Sequence, residues 1–223
     1  MWLQFFKYFL IPILMFFIGE NLCAQSKLRN AKFAKIGFIY QTYSGDKDIS
    51  LADGAAGYGV EMTIDSGGDI FRYFMKAKMI YSAGTQNFLD NVTEVKSNYK
   101  FTQVAPEFGF TLYPVPKKKS GLNLYVWAVG IATYQFVDLS PISSVVSGTT
   151  TAVSSYTKLK SRDQGYGYGG GGGIGFDIFF SERSRPWIKS IYGEVGFRDQ
   201  VAQMAGREDF QIKSINFILG LGF

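Results

Sequence analysis

Acidic and basic residues recur at even spacings in this chain, Glu61 with Asp65, Lys76 with Lys78 and Glu194 with Arg198, which places each pair on one face of an extended strand. Three kinds of chemistry are conceivable from such residues. Glu194 and Arg198 have the makeup of an acid with an electrophilic partner, Asp46 and Asp48 are the oxygen donors a loop-bound calcium ion uses, and Gly167 to Gly172 satisfies the spacing of a dinucleotide fingerprint. The fingerprint needs a strand before it and a helix after it, and neither is present in the surrounding pattern. Glu194 and Arg198 read more simply as members of a structural charge network. The chain contains no histidine, which removes the serine–histidine machinery of lipases, acyltransferases and proteases, and its single cysteine, Cys23, lies near the N-terminus. A zinc or copper site is therefore not expected. The expectation is a protein that is not an enzyme, with no cofactor and no metal.

The N-terminus accounts for the cysteine. Lys7 precedes an uninterrupted apolar run from Tyr8 to Ile18, and Leu22-Cys23-Ala24 follows. A charged residue, a short apolar run and small residues, in that order, make a secretory signal, so residues 1–24 are expected to be cleaved after Ala24. A lipoprotein reading would acylate Cys23, but Leu22 lacks the small character usual just before that cysteine. The formal charge of +5 points less to nucleic acid, which an exported chain seldom meets, than to anionic lipid headgroups.

The remaining residues, 25–223, alternate with period two in eight segments: about 35–43, 57–65, 71–81, 103–113, 123–135, 166–180, 189–198 and 213–223. Connections after the second, fourth and sixth segments are short, and those after the first, third, fifth and seventh are longer. Pro106 is expected to bulge its strand. In most segments one face is bulky and apolar, as with Phe71, Tyr73 and Met75. The opposite face carries Lys35, Glu61, Asp65, Arg72, Lys76, Lys78, Glu107, Asp177, Glu194 and Arg198 among small residues such as Gly59, Gly109, Gly173 and Gly196. In the segment 123–135 the bulky face is read as Tyr125, Trp127, Val129 and Ile131, with Ala128, Gly130 and Ala132 on the charged side.

Water sets no size limit on side chains facing it, whereas the interior of an eight-stranded barrel admits only small residues interleaved with a few long ones. Small and charged therefore means inside, and bulky and apolar means lipid, with the ten charged residues paired into a lumenal network. Two packed sheets of a sandwich remain the alternative. Tyr113, Tyr125 and Trp187 near the short turns, and Tyr40, Tyr81 and Tyr99 near the long loops, are expected at the membrane interfaces. Lys189 and Lys213 have lipid-facing parity near strand ends, where their stems can snorkel.

The closing stretch sets Ile215, Phe217, Leu219, Leu221 and Phe223 on one face, against Ser214, Asn216, Gly220 and Gly222. With the strand rhythm and loop asymmetry, this ending resembles the small eight-stranded outer-membrane β-barrel family, the OmpA transmembrane domain and OmpX type, including PorT-like single-barrel proteins. The resemblance implies an all-β, eight-stranded antiparallel up-and-down transmembrane β-barrel over residues 25–223, in the outer membrane of a Gram-negative bacterium. Phe217, Leu219, Leu221 and Phe223 would be its assembly signal. Outer-membrane lipid, lipopolysaccharide and the barrel-assembly machinery would be its partners, and no nucleic acid. The implied role is non-catalytic: presenting extracellular loops for adhesion, envelope integrity or association with an envelope or secretion complex. A narrow channel for a small or apolar solute is the alternative. The Val-, Ser- and Thr-rich stretch Ile142 to Tyr156 is the candidate partner hairpin, with Ile142, Val145, Val146, Val153 and Tyr156 as its apolar residues and its outer edge open to another protein's strand.

Overall fold

The structure is a computed structural model and describes residues 33–45, 55–90, 93–118, 120–146, 149–152, 161–180, 187–204 and 210–223. The chain divides into two units, Met1–Ala31 and Lys32–Phe223, and every described residue belongs to the second. The expected signal segment lies outside the described residues.

Nine strands are present among the described residues: β1 (Phe33–Gly45), β2 (Ala56–Gly67), β3 (Phe71–Asp90), β4 (Thr93–Leu112), β5 (Gly121–Val146), β6 (Thr149–Ala152), β7 (Arg162–Phe179), β8 (Ser190–Met204) and β9 (Phe210–Gly222). Each of the eight long strands pairs antiparallel with the next one in the chain, and β1 pairs with β9 from Lys35↔Gly222 to Gly45↔Ile212. The sheet thus closes into a ring, and closure removes the unpaired edges that an open sheet would expose. The short β6 stands outside the ring, paired with the far end of β5 through Ser143↔Ala152 to Val146↔Thr149.

Local sequence explains the tight end. Gly67, at φ +143°, turns the chain from β2 into β3, and the Gly68 amide closes the turn on the Phe71 carbonyl at 2.9 Å. Gly121, at φ +86°, lets the longer turn after β4 enter β5. Both strands flanking the C-terminus hold it in place. The Phe223 amide donates to the Ala34 carbonyl and the Lys189 amide to the Gly222 carbonyl, each at 2.8 Å.

The long end differs from the expected loops. Residues 84–102 continue the ladder, with β3 and β4 in register from Phe71↔Leu112 to Asp90↔Thr93. The alternation persists there in polar form, Thr85 and Asn87 being exposed while Val95, Ser97 and Tyr99 are buried. Pro106 causes no bulge: Val104↔Tyr134 and Glu107↔Ile131 share one register on either side of it, and the shift falls between Lys96 and Ser97.

The outward face is apolar over the ring, with Phe38, Val60, Tyr73, Phe108, Leu124, Ile174, Phe197 and Leu219 exposed. The strand 123–135 is inverted relative to its sequence reading. Tyr125, Trp127, Val129 and Ile131 are buried inside, while Leu124 and Val126 face out with Gly130 and Ala132. Paired residues share a face, and the partners Thr111↔Trp127 and Glu107↔Ile131 carry these side chains inward. Tyr99, Tyr113 and Tyr125 are likewise inside rather than at an interface, whereas Tyr81 and Trp187 are exposed.

Candidate functional site: a filled lumen beneath an extended sheet

The period-two alternation that turns apolar residues outward aims the charged ones at one another across the ring. At the turn end, the Lys35 ammonium donates to Asp177 Oδ1 at 2.8 Å and lies 3.6 Å from Asp65. Asp65 accepts from Arg72 Nη2 at 2.8 Å, and Arg72 Nη1 also reaches the carbonyls of Gly67 and Gly68, which ties the network to the β2–β3 turn. The Tyr113 hydroxyl donates to the second Asp177 oxygen at 2.8 Å.

Further along the axis, Lys76 pairs with Glu194 and lies 3.8 Å from Glu61, while Lys78 bridges Glu61 at 3.3 Å and Glu107 at 3.1 Å. Arg198 grips Glu107 with both fork nitrogens, Nε at 2.8 Å and Nη2 at 3.1 Å, the bidentate geometry guanidinium favours. The hydroxyls of Tyr192 and Tyr125 donate to Glu61 and Glu194, each at 3.0 Å. Aromatic faces supply further partners: Lys35 stands over Tyr192, Lys76 over Phe74 and Arg198 over Trp127, at 4.9, 4.9 and 5.0 Å.

The five cations and five carboxylates named from the sequence therefore face one another and balance in charge, all of them buried. Breaking one such pair leaves an uncompensated buried charge at a cost of about 3–5 kcal/mol. A tier of amides comes next, in which Gln103 donates to Gln200 at 2.9 Å and Asn216 to Ser214 at 3.2 Å. An apolar tier of Tyr43, Ile80, Tyr99, Phe101, Val137, Leu139, Ala202 and Ile212 occupies the long-strand end.

All ten charged residues named from the sequence lie in this interior. Phe217, Leu219, Leu221 and Phe223 face outward along β9. Ile142 is exposed on the outward face of β5, and Val145 and Val146 pair with Thr150 and Thr149 of β6. Val153 and Tyr156 lie outside the described residues.

Sequence reasoning missed the inward Tyr113, Tyr125 and Trp127, as well as Lys117. The signal for Tyr125 and Trp127 was their common parity with Asn123, the one strongly polar residue at the start of β5. Lys117 sits in the turn between β4 and β5 with its ammonium 4.5 Å from the Phe179 ring and 5.3 Å from that of Tyr113. Burial pulls its pKa down to about 8, against the opposing pull of Asp65 and Asp177. Among the described residues, no group of three or more His, Cys, Asp or Glu side chains is arranged to hold a metal.

No protein-family model and no curated protein matches the chain. Among solved structures, Neisserial surface protein A superposes with a TM-score of 0.49 at 11% identity, covering 87% of this chain and 98% of that one. The outer membrane protein OprG of Pseudomonas aeruginosa gives 0.45 at 12% identity, covering 86% and 95%. Ail, the attachment invasion locus protein of Yersinia pestis, in complex with a heparin analogue, gives 0.41 at 10%, covering 88% and 100%. At these values no residue role is transferred from them. The fold is a closed eight-stranded antiparallel ring with an apolar exterior and an ion-paired interior, and it resembles that of small outer-membrane β-barrels.

Proposed function

We propose that the chain is exported, loses residues 1–24 by cleavage after Ala24, and spans the outer membrane of a Gram-negative bacterium as a filled barrel over residues 25–223. Its role is non-catalytic. The short turns face the periplasm, and the outward row Phe217, Leu219, Leu221 and Phe223 on the closing strand is what the assembly machinery reads. The sheet beyond the barrel is the working surface, presented to another envelope component.

The filled lumen carries this reading. A pore needs a continuous wet path, whereas this axis runs through salt bridges, paired amides and an apolar tier, so activity belongs outside it. Strand lengths supply that outside. About 9–11 tilted residues cross the hydrocarbon, and β1 and β2 have 13 and 12, but β3 and β4 have 20 each and β5 has 26. Their excess forms a sheet of β3, β4, β5 and β6 standing clear of the membrane, with β6 as its last strand among the described residues.

Deleting residues 143–155 tests the assignment. The barrel should still fold, seen as retained heat-modifiable migration on gels, while proteins that co-purify with the intact chain from native membranes are lost. Retention of the same set by the deleted form removes the hairpin from the proposal.

A further inference from the structure

The chain's positive charge is not spread evenly over the molecule. By place in the sequence, residues 25–32, 66–70, 113–120 and 180–189 precede or join strands at the turn end, and they carry nine Lys or Arg against two Asp or Glu. That is +7 in a chain of formal charge +5. The ten lumenal charges cancel, as do Lys7 and Glu20, so the long-strand end is left at −2. Attraction for anions is therefore concentrated at the end opposite the extended sheet.

Two turns at that end form one fixed platform. The Tyr113 amide donates to the Ile70 carbonyl and the Lys117 amide to the Asp69 carbonyl, each at 2.8 Å, so the β4–β5 turn is bonded to the β2–β3 turn at two points. Between these bonds Pro114 and Pro116 fix φ on either side of Val115. Asn123 then clamps Lys118, its Oδ1 accepting from the amide at 2.6 Å and its Nδ2 donating to the carbonyl at 3.2 Å. This backbone presents an apolar centre with a basic rim. Val115 is 64% and Ile70 53% exposed, Lys118 is exposed, and Lys117 is half-buried at the lumen's mouth. The charged groups acting most strongly on Lys117 are Asp65, Asp177, Lys35 and Arg72, so with Lys117 itself the mouth holds three cations against two carboxylates. Asp69 is the one acidic residue in the two turns.

We infer that this platform docks an acidic segment of another protein, with an apolar side chain seated on Ile70 and Val115 and carboxylates on Lys117 and Lys118. The placement of that partner in the periplasm rests on the membrane orientation proposed above. An apolar centre inside a polar rim is the anatomy of a protein interface. A headgroup surface is fluid and needs only charge on free stems. Here the backbone is ordered before any partner arrives, which lowers the cost of binding a shaped one.

The test uses the refolded mature barrel in phosphatidylcholine nanodiscs at fixed ionic strength, with labelled peptides that alternate glutamate with leucine, glutamate with serine, and lysine with leucine. The glutamate–leucine peptide should bind, the glutamate–serine peptide should bind at least about threefold more weakly for want of the apolar contact, and the lysine–leucine peptide should not bind. Lys117→Gln with Lys118→Gln should weaken binding by about tenfold. Asn123→Ala keeps every charge while freeing the Lys118 backbone, and it should weaken binding too. Lys96→Gln with Lys100→Gln, at the opposite end, should leave it unchanged. Equal binding of the two acidic peptides, an equal loss in the Lys96 and Lys100 variant, or no effect of Asn123→Ala overturns the assignment. Loss of peptide binding when phosphatidylglycerol is added to the discs would assign the platform to lipid and overturn it as well. Heat-modifiable migration confirms that each variant is folded. Labelling of Lys118→Cys on intact cells by a membrane-impermeant maleimide would sink the orientation, and the periplasmic partner with it, whatever the peptides show.

Discussion

The ring of Trp127 stands where side chains at two neighbouring positions would otherwise go: a Cβ built at Gly173 meets Cζ2 at 2.8 Å, and one built at Gly196 overlaps the same atom. The arrangement repeats around the lumen, with Tyr125 over Gly175 at 2.5 Å, Phe74 over Gly109 at 2.6 Å and Tyr192 over Gly220 at 2.5 Å. Each of these four aromatics is accommodated by a glycine on another strand, so these glycines record the aromatics as much as the curvature of the wall. The outward Gly130 differs, since a Cβ there meets nothing closer than 3.8 Å. Gly196→Ala is therefore expected to destabilise the barrel by about 1–3 kcal/mol through overpacking, and Gly130→Ala to be near neutral, measured by urea unfolding in lipid vesicles. Adding Trp127→Leu to Gly196→Ala should recover part of the loss, because the two positions share one volume. The lumenal parity of these glycines was legible in the sequence. Their cause was not, because cross-strand neighbours are fixed by register and a single strand carries no record of its partner.

Among the strands, legibility followed charge. β3 and β8 declare their inward faces through Arg72, Lys76 and Lys78, and through Glu194 and Arg198, and both faces were assigned from the pattern. β5 has no charged residue between Gly121 and Gln135, so its alternation is visible while the direction of each face is not. Bulk alone suggested lipid for Trp127, and pairing with β4 reversed it. The polar continuation of β3 and β4 past residue 83 was read as loop for a related reason: beyond the apolar band neither face need be apolar, and the signal that marks a strand disappears. The turn between β4 and β5 yields a pH prediction. Lys117 has a folded pKa of about 8 against 10.5 unfolded, so its ammonium is held at a cost that is complete below pH 8 and relieved as pH rises toward 10.5. Lys117→Met removes that cost along with the attraction to Asp65 and Asp177. The stability difference between the wild type and this variant should therefore move in favour of the wild type from pH 7.5 to pH 10, read from urea midpoints. A difference that is flat across this range would refute a depressed Lys117.

Taken as one object, the barrel inverts the usual distribution of polarity, and its interior is held by interactions that are costly one at a time and stable only as a set. Lys78 lies between Glu61 and Glu107, and Glu107 in turn holds Arg198, so no member can be removed without stranding another. Lys76→Met should cost about 3–5 kcal/mol by leaving Glu194 without its ammonium. Lys76→Met combined with Glu194→Gln should recover much of that, since a neutral amide can still accept from the Tyr125 hydroxyl. Conductance tests the interior by a different physical route. In planar bilayers the wild type should pass no resolvable single-channel current, because the apolar tier containing Tyr99, Phe101 and Leu139 lies in series with the charged one. Neutralising the Lys76–Glu194 pair should leave that baseline unchanged, whereas Tyr99→Ala with Phe101→Ala should introduce current if the apolar tier is the seal. Steady wild-type conductance would mean that the tier opens in the membrane, and the lumen rather than the sheet above it would then be the working part of the molecule.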